Sequence, residues 1–69
     1  MDDEYKKKEA FLKSKGFRLD FSREVWINNT GEISHEFIAD HSLEDLKLKL
    51  SKAEKISEFR KMPFRLYDS

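Results

Sequence analysis

Between Phe17 and Phe37 the apolar residues Phe17, Leu19, Phe21, Val25, Ile27, Ile33 and Phe37 alternate along the chain around the turn-forming run Asn28-Asn29-Thr30-Gly31. A period of two is the mark of half-buried strands, whose successive side chains point to opposite faces. This stretch therefore predicts a three-stranded antiparallel meander, with strands over about 17–21, 24–28 and 32–38. Ser22-Arg23 reads as a tight turn. Asn29-Thr30-Gly31 reads as a hairpin connection in which Gly31 supplies a positive backbone dihedral. On this phase Phe17, Leu19, Phe21, Val25 and Ile27 face the core, and Trp26 falls on the other face.

The flanks read as helices. Residues 2–15 place Asp2, Asp3 and Glu4 in the first turn and Lys13 and Lys15 in the last, as the helix dipole favours, and Gly16 can close the helix in a left-handed conformation. The apolar stripe of this helix is thin: Tyr5, Leu12 and either Phe11 or the stem of Lys8. A second helix is predicted over 42–61. Ser42 with Asp45 three residues on resembles a capping box, and Leu43, Leu46, Leu50, Ala53, Ile56 and either Phe59 or Arg60 recur at spacings of three and four. Leu46-Lys47-Leu48-Lys49-Leu50 alternates as a strand would, but the cap and the continued helical period decide for helix, which leaves Leu48 off the core face. Met62-Pro63 ends it, because the residue before proline avoids helical dihedrals. Phe64 and Leu66 alternate with Arg65 and Tyr67, so the tail 62–69 either packs back as an extended C-terminal segment or stays loose.

The expected fold class is thus α+β, in α-β-β-β-α order over residues 1–69 as one small domain. This order is similar to that of double-stranded-RNA-binding domains, a likeness of topology alone. Where those carry basic residues at the start of the last helix, this chain has His41-Ser42-Leu43-Glu44-Asp45.

A chain of 69 residues buries only about 60% of its unfolded surface, so stability of a few kcal/mol is expected. There is no cysteine to add a disulfide. That absence, with no apolar run resembling a signal peptide or a membrane span, predicts a cytoplasmic protein without a membrane partner. The 14 basic and 14 acidic side chains cancel, and the sheet region 17–38 is its acidic part, with Arg18 and Arg23 against Asp20, Glu24, Glu32 and Glu36. Six Phe, two Tyr and one Trp supply apolar area enough for a core, against disorder.

No catalytic or cofactor motif is present. The two glycines, Gly16 and Gly31, are turn residues rather than part of a phosphate-binding loop. His35, Glu36, Asp40 and His41 are the one cluster of metal-ligand types, but strand geometry sends His35 and Glu36 to opposite faces, so no metal site is expected. Ser34 beside His35 is a sequence neighbour rather than a triad. The expectation is a non-enzymatic interaction or regulatory module that binds another protein, or itself as a homodimer, with no cofactor. Trp26 is either a core residue, its phase shifted by a bulge near Ser22-Arg23, or a partner-binding residue on an open sheet face. The candidate partner-binding set is Trp26, Arg18, Asn28, Leu48, Phe64 and Tyr67. The alternative is nucleic-acid binding through Arg18 and Arg23 on the sheet or Lys49, Lys52 and Lys55 on the last helix. Zero net charge and an acidic sheet weigh against it.

Overall fold

A computed structural model describes residues 3–67. The elements run α1 (Asp3–Ser14), β1 (Arg18–Asp20), β2 (Val25–Ile27), β3 (Gly31–Ser34), α2 (His35–Asp40), α3 (Leu43–Arg60) and β4 (Phe64–Leu66). The protein is α+β, as expected, with one sheet in the order β1-β2-β3-β4. The first three strands form the antiparallel meander. The tail returns as β4, parallel to β3, pairing Gly31 with Phe64 and Ile33 with Leu66.

Three expectations fail within the sheet. The third strand stops at Ser34 and the chain turns directly into α2. Ser34 Oγ caps this helix by accepting from Phe37 N at 3.0 Å, and its hydroxyl donates to Tyr67 O at 2.7 Å. The last carbonyls of such a short helix lack intrahelical partners. Two side chains meet that need: His41 Nδ1 at 2.8 Å from Phe37 O, and Lys8 Nζ at 3.0 Å from Ile38 O. Lys8 is thereby buried alongside Leu12, and Phe11 and Tyr5 are half-buried at the core's edge.

The second failure is the phase. Leu19 pairs with Trp26, and Trp26 with Ile33. Four residues separate the innermost β1–β2 pair, Asp20 and Val25, so the face that odd-numbered positions occupy on β1 passes to even-numbered positions on β2. A register change of one residue sends every side chain of a strand to the other face. Trp26 is consequently a core residue, 2% exposed, clustered with Leu12, Phe17, Ile33, Phe37, Ile38, Leu46, Leu50, Ala53 and Phe64. Val25 and Ile27 lie on the opposite face, where Val25 is nevertheless buried (2% exposed) and Ile27 half-buried, and Phe21 is 84% exposed in the turn rather than in the core. The turn is set by Asp20, whose carboxylate accepts from Ser22 N, Ser22 Oγ and Arg23 N, and by Glu24, which adopts the left-handed conformation (φ 56°) and donates its N–H to Asp20 O.

Gly16 has φ 86° and ends α1, with Phe17 N bonding Leu12 O. Gly31 does not take the positive dihedral expected of it. It sits inside β3, where a Cβ would fall 2.5 Å from both the ring and the carbonyl oxygen of Phe64. It is glycine's missing side chain that lets β4 approach. Ser42 caps α3 by accepting from Asp45 N at 3.1 Å, and Lys61 closes it in the left-handed conformation.

Candidate functional site

The position of α3 leaves one of its flanks covered and the other open. Leu46, Leu50 and Ala53 face the core. On one side α1 packs alongside, through Lys15–Glu54 (3.5 Å) and through Lys47 Nζ, 5.5 Å from the centre of the Phe11 ring. On the other side α3, α2 and β4 border a groove of about 430 Å³ lined by Phe37, His41, Lys49, Lys52, Ala53, Ile56 and Leu66. Its floor is apolar. The His41 ring stacks on Phe37 at 4.1 Å, held there by the Nδ1 hydrogen bond that also closes α2.

Ile56, 54% exposed, forms part of the groove wall, and Phe59, 88% exposed, continues the apolar strip one turn along α3. Ile56 was expected to face the core, with either Phe59 or Arg60 beyond it. Ile56 and Phe59 do not because, at 100° per residue, Ile56 lies about 120° and Phe59 about 180° round the helix from Leu50, off the face that Leu46, Leu50 and Ala53 turn to the core. Lys49 and Lys52 stand at the rim. Among the described residues Glu54 pairs with Lys15 of α1, and neither Lys49 nor Lys52 has an ion-pair partner.

The residues singled out from sequence do not form one surface. Trp26 and Phe64 are in the core, so neither presents a face to a partner. Asn28 is spent on the hairpin: its Oδ1 accepts from Thr30 N, Thr30 Oγ1 and Gly31 N, and its Nδ2 donates to Lys15 O. Leu48 is exposed, as its place off the core face predicted, but does not line the groove. Arg18 and Tyr67 belong to the sheet face turned away from the helices. Arg23 reaches across that face to Glu32 at 2.8 Å and to Tyr67 Oη at 2.9 Å, while the Tyr67 hydroxyl bonds Glu32. This network holds the Glu32 carboxyl below its usual 4.5, first through the Tyr67 hydrogen bond, and raises the Tyr67 hydroxyl above 10. Within the alternative set, Arg18 and Arg23 are thus separated from Lys49 and Lys52 by the sheet, and Lys55 points away from the groove into solvent.

A second polar cluster joins Tyr5 to His35 Nδ1 at 2.6 Å, beside the buried Trp26 indole. Burial raises the Tyr5 hydroxyl above its ordinary 10, with the Trp26 N–H opposing and Glu9 adding to the rise. The cluster ties α1 to the start of α2. Among the described residues no group of three or more His, Asp or Glu is placed to hold a metal ion, and no helix is long and apolar enough to cross a membrane.

In comparisons with known proteins, no family model, no curated protein and no solved structure matches the chain.

Of the groove residues, sequence reasoning singled out Lys49 and Lys52 as cations but missed Phe37, His41, Ile56 and Leu66 as one surface. Their convergence depends on α2, whose only sequence signals were Ser34 at a cap position and Glu36 in a first turn.

Proposed function

We propose that this protein is a non-enzymatic interaction module that binds another protein through the groove between α2, α3 and β4. One observation carries the reading: Ile56 is left exposed in a groove with Phe37, Ala53 and Leu66 and with Lys49 and Lys52, and Phe59 is exposed one turn further along α3. Large apolar side chains grouped at a concave surface and rimmed by polar residues are the usual signature of a protein-binding site. A catalytic role has less support, because the titratable groups with displaced proton affinities are not gathered in this groove: Asp20, Arg23, Glu32 and Tyr67 lie on the exposed sheet face and its turn, and Tyr5 lies between α1 and α2. Nucleic-acid binding has less support because the candidate cations are divided between two faces.

Selection of a random-peptide display library on the wild-type chain, with counter-selection on Ile56→Lys, tests the reading. Ile56 is exposed, so the variant keeps its core. The expected result is ligands that lose at least tenfold in affinity on Ile56→Lys and perturb the amide resonances of Phe37, Ala53, Ile56 and Leu66. Ligands that bind both proteins equally, or that perturb Arg18, Glu32 and Tyr67 instead, would overturn it.

A further inference from the structure

We infer that the occupant of this groove is an acidic amphipathic helix of a different protein, about three turns long; the inference rests on the protein-binding reading above. Charge complementarity is the first argument. At 100° per residue Lys49, Lys52, Ile56, Phe59 and Arg60 share one flank of α3, whereas Glu44, Glu54 and Glu58 share the opposite flank with Lys47. This flank of α3 therefore carries three cations against one acid, Asp45 in the first turn. Among the described residues Lys49 and Lys52 make neither an ion pair nor a hydrogen bond. A helix that laid leucine-like side chains on Phe37, Ala53, Ile56 and Leu66 would bring its own flanking carboxylates against these lysines, and rim charges of this kind steer encounter and fix orientation.

Length is the second argument. From Lys49 to Phe59 the strip rises about 15 Å along α3, which matches about ten residues of a helix lying alongside. A second copy of this chain fits less well. A two-fold interface centred on the strip would bring Lys49 and Lys52 of one copy towards those of the other, and like charges placed so repel. A phosphate backbone would satisfy the lysines but leave the apolar floor between them in water.

The test uses three fluorescent 14-residue peptides and one nucleic-acid probe, measured by anisotropy at low and moderate salt against the full chain. The first peptide has leucines at helical i, i+3, i+4 and i+7 positions and glutamates on the flanks. The second replaces every glutamate by lysine, and the third scrambles the leucines. The nucleic-acid probe is a duplex of about 12 base pairs. The acidic peptide is expected to bind at least tenfold tighter than the other two and than the duplex, with an affinity that falls as salt rises. On Lys49→Glu/Lys52→Glu the preference between the acidic and basic peptides should reverse, a result that loss of folding could not produce. Equal binding of the acidic and basic peptides to the wild type, with loss of both on Ile56→Lys, would sink the acidic partner while leaving the groove as a binding site. Acidic-peptide binding that ignores the double charge reversal, tighter binding of the duplex in competition with it, or no binding of the acidic peptide would each overturn the inference, and the display selection separately decides whether the groove binds protein at all.

Discussion

Replacing Gly31 with alanine should destabilise this protein far more than a glycine-to-alanine change in a strand ordinarily does. In most strands the change gains about 0.5–1 kcal/mol, because the unfolded chain loses freedom. Here the new methyl group would lie 2.5 Å from Phe64 Cγ, 2.5 Å from Phe64 O and 2.6 Å from Phe64 Cδ2. Non-bonded carbon atoms prefer separations of about 3.5–4.0 Å, so β4 must withdraw by about 1 Å. Rotation of the Phe64 ring does not suffice, since one of the atoms met is backbone. Withdrawal stretches the bond from Phe64 N to Thr30 O, now 3.1 Å, beyond hydrogen-bonding range. Loss of that bond costs about 1 kcal/mol, and overpacking of the core adds about 1–3 kcal/mol. A net loss of about 2–3 kcal/mol is expected.

A core of this size supplies about 3–5 kcal/mol in all, so the variant should sit near the edge of unfolding. With a urea m-value of about 1 kcal/mol/M the midpoint should fall by about 2 M. Trp26, 2% exposed, is the probe, since its emission shifts to the red as it meets water. Gly16→Ala is the reference: its Cβ would meet nothing within 4 Å, so only the φ of 86° opposes it, at a cost of about 1–2 kcal/mol. An unchanged midpoint for Gly31→Ala beside a lowered one for Gly16→Ala would refute the close approach of β4 to β3, and with it the wall that Leu66 gives the groove.

Lys8→Met should cost about 1–3 kcal/mol, because it leaves Ile38 O without the buried donor 3.0 Å away; exposed Lys7→Met should stay within about 0.5 kcal/mol in the same urea titration. Phe21→Ser should change stability by less than about 0.5 kcal/mol despite removing an aromatic ring, since Phe21 is 84% exposed; a loss comparable to a core truncation would show that the turn packs against the sheet. Acid should weaken the fold: Asp20 and Glu32 have proton affinities lowered below their ordinary 3.8 and 4.5, so their contribution is complete above those values and is lost as the pH falls through the lower native ones. Tyr5 and Tyr67 act at the other end. Their hydroxyls are raised above 10, so the native state keeps their protons longer and that contribution disappears as the pH climbs past 10. Thermal melts of the wild type and Glu32→Gln from pH 2 to 6 check the acid limb, and the variant should show the shallower decline.

Much of the fold was legible because it rests on local rules. The Ser42 cap with the leucine period of α3, and the acid-to-lysine gradient of α1 with its Gly16 terminator, each express backbone chemistry within a few residues; the hairpin after β2 was legible in place, though Asn28 rather than a left-handed Gly31 sets it. The tail's alternation made β4 one of two readings, and pairing with Gly31 decided it. The short helix α2 escaped because six residues are too few to show a helical period, while Ile33 and Phe37 happened to keep the strand alternation going. The candidate site was less legible. Lys49 and Lys52 were visible as cations on one helix, but nothing local marked them as a rim, because Phe37, His41 and Leu66 reach the same groove from two other elements.

The sequence by itself determined α1, α3 and the three-stranded meander, about where most of these stop, and that apolar area suffices for a core, since propensity, capping and turn chemistry act over short spans of chain; α2 and the pairing of β4 it did not determine. Only the tertiary structure decided which face of each strand is buried. Trp26 shows why: alternation states that it opposes Val25 and Ile27, but the choice between them belongs to the pairing of Leu19 with Trp26 and of Trp26 with Ile33, set by the number of residues in two turns and by the helices that cover the winning face. Ile56 makes the same point: it continues the spacing of three from Ala53, yet it lies about 120° round the helix from Leu50, and which flanks of α3 are covered is decided by where α1, α2 and β4 dock.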